Sequence, residues 1–351
     1  MIEGLLMRML ARAFIIAVAP LVILNSIPLH TTPTLTSFVG GSASCSRPVV
    51  AVFFYMWYED GLGGSHWNNT IYGLVVDKPV IGYYSSVNES VIRWQLNLIR
   101  KAGVNVLFLS WWGPNSYTNR VAKEVFKLLP EYGLKASIMV EPFLGGRVLD
   151  AVRYNRVFWS SVLNYIYSNF IERYPESYFK LYGKPLILTF APVGIVYLPE
   201  NNSFTFRVVA LGVDLLRKLG FRADWDLWPN YLAPWVKPRS SIQLRIRVDG
   251  YVAITPRFDN TIACRAGAGI GCSLLLLDPT YSLRAYILEW EWVLEHLDKI
   301  HIIAIYSWNE YHERSEIEPH IDATEAPGLK YNPYNTTMFF TSLINNICLQ
   351  K

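Results

Sequence analysis

The sequence predicts an α/β fold: a (β/α)8 TIM-type barrel forming a single domain behind an N-terminal signal or anchor segment. Three observations predict it. Short β-rich apolar runs alternate with amphipathic helical stretches along most of the 351 residues. Polar and aromatic residues gather just past those runs, where a barrel collects its functional groups. No Gly-rich phosphate turn follows the first run, as a doubly wound sheet would usually show.

The first strand is expected over residues 48–58, an unbroken apolar run of the kind that is buried on both faces. A helix over 90–101 and a strand over 105–112 follow, then a helix over 119–132 and a strand over 135–143. Apolar residues at three- and four-residue intervals predict further helices over 155–173, 206–219 and 281–297. Strands are expected over 184–190, 223–228, 250–255 and 300–307, and a helix over 337–347 closes the barrel. Residues 229–247 are Pro-rich; the missing strand is expected there or around 274–277.

Two boundaries follow from composition. Arg8 and Arg12 precede an apolar run over 13–29, interrupted by Pro20, and a Thr- and Ser-rich stretch ends near Ser46. That order reads as a signal peptide or membrane anchor with a short linker over 1–45, leaving 46–351 as the barrel domain outside the cytoplasm, secreted or tethered to the cell surface. Cysteine usage agrees with an oxidising compartment. Cys264 and Cys272 suit a short loop staple and Cys45 and Cys348 an end-to-end clasp, although four cysteines allow three connectivities. Sequons at Asn68, Asn88, Asn201 and Asn335 are compatible with glycosylation.

The net charge of +4 is small, and the basic residues are scattered, which argues against nucleic acid as a partner. Twelve Trp and twenty-two Tyr residues provide flat apolar faces, most of which pack; those at strand ends suit sugar rings. Past the first strand come Tyr55, Trp57, Tyr58, His66 and Trp67; past the second, Trp111 and Trp112; past the third, Glu141. Past the strand over 250–255 come Arg257, Asp259 and Asn260, and past the last one Asn309, Glu310, His312 and Glu313.

Glycoside cleavage needs one group to protonate the departing oxygen and another to assist at the anomeric carbon. Glu310 and Glu313, three residues apart beyond a strand, suit those roles; the competing reading pairs one of them with Arg257 or Arg314 in a structural network. Glu141 is a substrate contact or a partner of a loop amide, and His66 and His312 either pack or serve the site.

The segments Ser110-Trp111-Trp112-Gly113, Glu141-Pro142 and Asn309-Glu310-Tyr311-His312-Glu313 with Ile317-Glu318-Pro319 resemble the motifs of glycoside hydrolase family 99, the endo-α-mannosidases and endo-α-mannanases. The pair His66-Trp67 adds to the resemblance. It implies an enzyme that cleaves α-mannosidic or similar α-glycan bonds internally, retains configuration and uses no metal or other cofactor. Carried over by position, Glu310 is the base on the sugar 2-hydroxyl, which attacks its own anomeric carbon to give a 1,2-anhydro sugar, and Glu313 is the general acid/base. Glu141, Trp112, His66, Trp67, Asn309, His312 and Tyr55 or Tyr58 are the implied substrate-binding residues. The partner is then an oligo- or polysaccharide.

Two departures stand out. Tyr311 occupies a position where the family usually has Trp, and Arg314-Ser315-Glu316 replaces a smaller Gly-Thr-Gln type sequence, so an extra cation is expected to act on the acid's pKa or on the accepted substrate. Two other functions compete. A non-catalytic carbohydrate-binding barrel would not need both Glu310 and Glu313; a metal-dependent hydrolase built on His312, Glu316 and His320 lacks the usual His spacings.

Overall fold

The apolar runs become parallel strands buried on both faces. The computed structural model describes residues 46–59, 66–69, 73–142, 156–191, 202–229, 244–259, 274–275, 279–323 and 332–349. Eight parallel strands are β1 (Val49–Phe54), β2 (Val106–Trp111), β3 (Lys135–Val140), β4 (Lys184–Phe190), β5 (Thr205–Ala210), β6 (Trp225–Asp226), β7 (Tyr251–Ile254) and β8 (Ile302–Ile305). Their hydrogen-bonded order is β6-β5-β4-β3-β2-β1-β8-β7. Ala51 pairs with Val106 on one side of β1 and with Ala304 on the other.

The remaining seam, between β6 and β7, is closed by side chains. The Trp225 and Tyr251 rings stack with centroids 4.3 Å apart, and the Tyr251 hydroxyl donates to the Asp226 carbonyl at 2.8 Å. The result is a nearly closed (β/α)8 barrel. Alternate residues divide it: Ala51, Phe53, Phe108, Leu188, Trp225 and Ala304 fill the interior, whereas Val50, Val52, Phe54, Leu107 and Ile303 face the helices.

The helices are α1 (Glu89–Lys101), α2 (Tyr117–Tyr132), α3 (Arg156–Ile166), α4 (Val213–Lys218), α5 (Pro279–Glu295) and α6 (Pro333–Leu349). Helix α1 begins where the Asn88 side chain accepts from the Ser90 N–H, and it buries Ile92, Leu96 and Ile99, each contributing roughly 1.5–3 kcal/mol. Ser116 caps α2 in the same way, and Gly133, at φ +61°, ends it. Helix α3 runs on as a π turn over Tyr167–Ile171. Helices α5 and α6 meet through stacked Trp290 and Phe340 rings, 5.7 Å apart. Among the described residues no helix is long and apolar enough to cross a membrane.

Two expectations are corrected. The stretch 206–219 is not one helix: its first part is β5, and α4 starts only after Gly212, at φ +64°. Phe206, Val208, Val209 and Ala210 are buried against neighbouring strands, but Phe206, Val209, Val213 and Leu216 recur at three- and four-residue intervals and so mimic a helical stripe. The missing strand is therefore this one. Leu274–Leu275 instead pairs antiparallel with Phe258–Asp259, outside the barrel. Cys348 is disulfide-bonded, whereas Cys45, Cys264 and Cys272 lie outside the described residues. Asn68, Asn88 and Asn335 are exposed; Asn201 and Asn260 lie outside the described residues.

Candidate active site

The C-terminal ends of β1, β2, β3, β7 and β8 deliver the residues at the barrel mouth. The chain leaving β8 folds back on itself. The Ser307 N–H donates to the Ser315 carbonyl at 2.9 Å and the Ile317 N–H to the Ser307 carbonyl at 3.0 Å, so residues 307–317 form a loop anchored at both ends. The Trp308 N–H reaches the Phe53 carbonyl of β1 at 2.8 Å.

Asn309 fixes this loop to the end of β1. Its amide accepts from the Tyr55 N–H at 2.8 Å and donates to the Tyr55 carbonyl at 2.9 Å, imitating a strand pair beyond the strand itself. Tyr58 donates to the Asn309 carbonyl at 2.8 Å and accepts from the Tyr311 N–H at 3.1 Å. The Tyr58 ring stacks on Trp67 at 3.9 Å, and both pack with Tyr84 and Tyr311. Asn309, Tyr58 and Trp67 are thus fully buried and bonded to protein groups; they hold the mouth in shape.

Glu310 and Glu313 project from the anchored loop. Glu310 is buried; its N–H donates to Ser307 Oγ at 2.8 Å, and its Oε1 accepts from the His312 N–H at 3.0 Å. Half-buried Glu313 accepts a hydrogen bond from the Tyr306 hydroxyl, to which the Tyr55 hydroxyl donates at 3.2 Å. Burial pushes both carboxyls above the ordinary range, and the charge of Glu310 pushes Glu313 further. Backbone N–H groups of His312 and Glu313 favour the charged form of Glu310. Both are pushed up to about 8, the Tyr306 hydroxyl favouring the charged form of Glu313 in turn, so ionisation of one carboxyl holds the proton on the other. Among the described residues, no Lys or Arg forms an ion pair with either; Glu310 has only His312 Nδ1 at 3.7 Å.

Glu141 follows β3, accepts from Ser110 Oγ at 2.8 Å, and is pushed up to about 8 by burial and then by the charges of Glu310 and Glu313. It is a third carboxyl within electrostatic reach of the pair. Beside them stands an aromatic wall. Trp57 lies 4.4 Å from Tyr55 and stacks on His66 at 5.0 Å, and Trp112 meets Trp57 and His66 edge-on, each at 5.6 Å. His66 and His312, 6.3 Å apart, are held neutral: burial lowers both to about 4.

The other two carboxylates of the motif lie behind the loop. Glu318 accepts from Gln95 Nε2 and Trp308 Nε1 on one oxygen, at 2.6 and 3.0 Å, and from the Tyr84 and Tyr311 hydroxyls on the other, at 2.9 and 2.8 Å. Tyr311 therefore supports the loop from behind, its hydroxyl being one of the four donors that hold Glu318. Glu316 lies 3.5 Å from Arg257 and 3.4 Å from His320.

Arg257 and Arg314 do not pair with Glu310 or Glu313. Fully buried Arg257 bonds Asp77 at 2.7 Å and also Asp322; Arg314 bonds Asp77 at 2.8 Å and Asp259 at 3.2 Å. The expected electrostatic action of Arg314 on the acid is therefore replaced by an ion cluster facing away from the cleft. Among the described residues, the side chains whose donor atoms converge are Asp77, His320 and Asp322, not His312, Glu316 and His320. Two guanidiniums already occupy those two aspartates, so a divalent cation there would have to displace them.

Tyr306, Ser110, Gln95 and Asp77 carry functions that sequence reasoning did not assign. Tyr306, within the charged motif, and Ser110, at the head of Ser110-Trp111-Trp112-Gly113, had a signal; Gln95 and Asp77 are single polar residues in helical or loop sequence.

With strand order and mouth in hand, the class of protein the fold defines is the (β/α)8 barrel. Among solved structures, the chain is similar to the family 99 endo-α-mannosidase from Bacteroides thetaiotaomicron in complex with Bis-Tris propane: TM-score 0.58, 18% identity, covering 86% of this chain and 99% of that one. A second structure described as that organism's family 99 endo-α-mannosidase gives a TM-score of 0.57 at 17% identity, covering 85% of this chain and 97% of that one. A glycoside hydrolase-like protein gives 0.52 at 11% identity, covering 88% and 98%. These likenesses establish the shared barrel. No family model and no curated protein sequence matches the chain.

Proposed function

We propose that the protein is a retaining, endo-acting glycoside hydrolase of α-mannosidic or similar α-glycan linkages. The observation that carries this reading is the carboxyl pair on the anchored loop after β8: buried Glu310, which accepts from the His312 N–H at 3.0 Å, and Glu313, which accepts from the Tyr306 hydroxyl, each raising the other's hold on its proton. One carboxylate and one carboxylic acid at the same pH are what glycoside cleavage requires. The barrel shared with family 99 structures supports the same reading.

In this mechanism the Glu310 carboxylate takes the proton of the sugar 2-hydroxyl as O2 attacks C1, while Glu313 gives its proton to the departing glycosidic oxygen. A 1,2-anhydro sugar results. Glu313, now a carboxylate, takes a proton from water as the water oxygen attacks C1, and Glu310 returns its proton to O2. Two inversions at C1 retain its configuration. Glu141, uncharged below about pH 8, offers a hydrogen bond to a sugar hydroxyl, and the Trp57, Trp112 and His66 wall gives the ring a flat face. The test is hydrolysis of an α-mannan and of an activated α-mannobiosyl substrate. Wild type should turn over both, Glu310→Gln neither, and Glu313→Gln should lose most of its activity on the α-mannan and less on the activated substrate. Binding without turnover over a broad glycan panel would favour a carbohydrate-binding barrel instead.

The N-terminal segment over 1–45 belongs to the same proposal, as a leader that takes the domain out of the cytoplasm. N-terminal sequencing of protein from the native host distinguishes a cleaved leader from a retained anchor; protein found only in the cytoplasm would refute both. Cys45–Cys348 and Cys264–Cys272 are the proposed pairings, and a non-reduced peptide map decides them.

A further inference from the structure

We propose that Arg314, locked to Asp77, is the positioning residue that sets the place of the Glu313 carboxyl; this rests on Glu313 being the acid of the reading above. Arg314 has φ +50°, a left-handed conformation that residues with a Cβ keep only where their surroundings hold it. Here the surroundings do so. Its Nε and Nη2 donate to the two oxygens of Asp77 at 2.8 and 3.0 Å, and Nη1 donates to Asp259 at 3.2 Å. Its carbonyl accepts from Arg257 Nε at 2.8 Å, and the preceding carbonyl, of Glu313, accepts from the Asp259 N–H at 2.7 Å.

The peptide that follows Glu313 is therefore gripped at both carbonyls and by the next side chain. The left-handed turn separates two directions: Glu313 reaches Tyr306 in the cleft, and Arg314 runs behind the loop to Asp77. Asp77 is itself fixed, accepting from Arg257 Nη2 at 2.7 Å and from the Ala323 N–H at 2.8 Å. A glycine would adopt the same backbone without any grip. Arginine instead ties the acid to three loops at once: that between β1 and α1 through Asp77, that after β7 through Arg257 and Asp259, and its own.

Two full-chain variants test this. Arg314→Gly keeps the left-handed backbone and removes the grip; Asp77→Asn weakens the same grip from a distant loop. Each should lower kcat on α-mannan by on the order of 100-fold with KM within about twofold, the pattern of a misplaced catalytic group. The double variant should be no worse than the worse single. Amide exchange at Ser307, Ser315 and Asp259, whose N–H groups bond within or onto this loop, should quicken while β1 and β2 stay protected. Wild-type kcat in both single variants, or losses that multiply in the double, would overturn the positioning role. If wild type cleaves no glycan, the functional reading fails by itself and exchange decides the grip: unchanged loop exchange in folded variants refutes it. Should Arg314→Gly not fold, Arg314→Lys and Asp77→Asn carry the same comparison.

Discussion

Asp77, behind the loop, and the three glutamates in the cleft in front of it have opposite electrostatics. Behind the loop, burial would raise Asp77, but the bond from Arg314 and the charges of Arg257 and Arg314 hold it below the ordinary range. In the cleft, Glu141, Glu310 and Glu313 have hydroxyl and backbone partners and no guanidinium among the described residues, and burial raises all three. The lesson is that burial alone does not make a carboxyl chemically useful. At Asp77 two hydrogen-bonded guanidiniums fix the charge and make it a fastener, whereas the hydroxyl and backbone partners in the cleft leave a proton exchangeable near neutral pH.

The sharpest way to break this contrast is to remove one exchangeable proton. Glu313→Gln should lower kcat by roughly 10²–10⁴-fold on substrates with poor leaving groups and by less on activated ones, since only the former need the acid. Equal losses on both would reassign Glu313. On the fastening side the expected effect is on stability. Arg257→Met leaves Asp77 and Asp322 short of a buried cation and should cost about 3–5 kcal/mol in urea unfolding. A cost near zero would mean that the cluster does not hold the mouth together.

Glu318 tests the boundary between the two groups. Four donors converge on it, and Gln would turn an N–H₂ group toward two of them, so Glu318→Gln should destabilise by about 1–3 kcal/mol. The pH dependence separates Asp77 from the raised glutamates on both sides of the loop. Glu141 and Glu316, each pushed to about 8, and Glu318, pushed to about 7, bind protons more tightly folded than unfolded. Their stabilising protonation is complete below the ordinary carboxylate range and is lost as pH rises through about 7 to 8. Asp77, held low, has the opposite sign: its contribution is present above the ordinary range and is lost as pH falls through its folded value. The urea midpoint should therefore decline from pH 5.5 to 8.5 (about the window these shifts span), and Glu141→Gln should flatten part of that decline. A midpoint that rises over this window would contradict the assigned signs. The smallest effect belongs to Tyr306→Phe. Its hydroxyl favours the charged form of Glu313, so its loss should move the alkaline limb of the pH–rate profile upward.

The cleft was easier to read in the sequence than the fasteners. Glu310 and Glu313 stand together behind an apolar strand, and local charge density was enough to single them out. Asp77 had no such signal: it is one acid in a loop, and its partners Arg257, Arg314 and Ala323 are 180 residues or more away. The same locality explains the fold. Strands such as Lys184–Phe190 were legible because a continuous apolar run has one reading, whereas β5 was hidden because Phe206, Val209, Val213 and Leu216 also fit a helical stripe. What decided it was pairing with β4, a contact outside any local window. Trp57 was visible at its strand end, but its place between Tyr55, His66 and Trp112 depends on two separate loops.

The central claim is a division of labour between Glu310 and Glu313 in a retaining cleavage. Time-resolved NMR of α-mannan hydrolysis by wild type, observing the first-formed reducing end before it mutarotates, tests it most directly. The account predicts the α-anomer first, and no product signal with Glu310→Gln. A β-anomer appearing first, or α-product formed by Glu310→Gln at the wild-type rate, would contradict it.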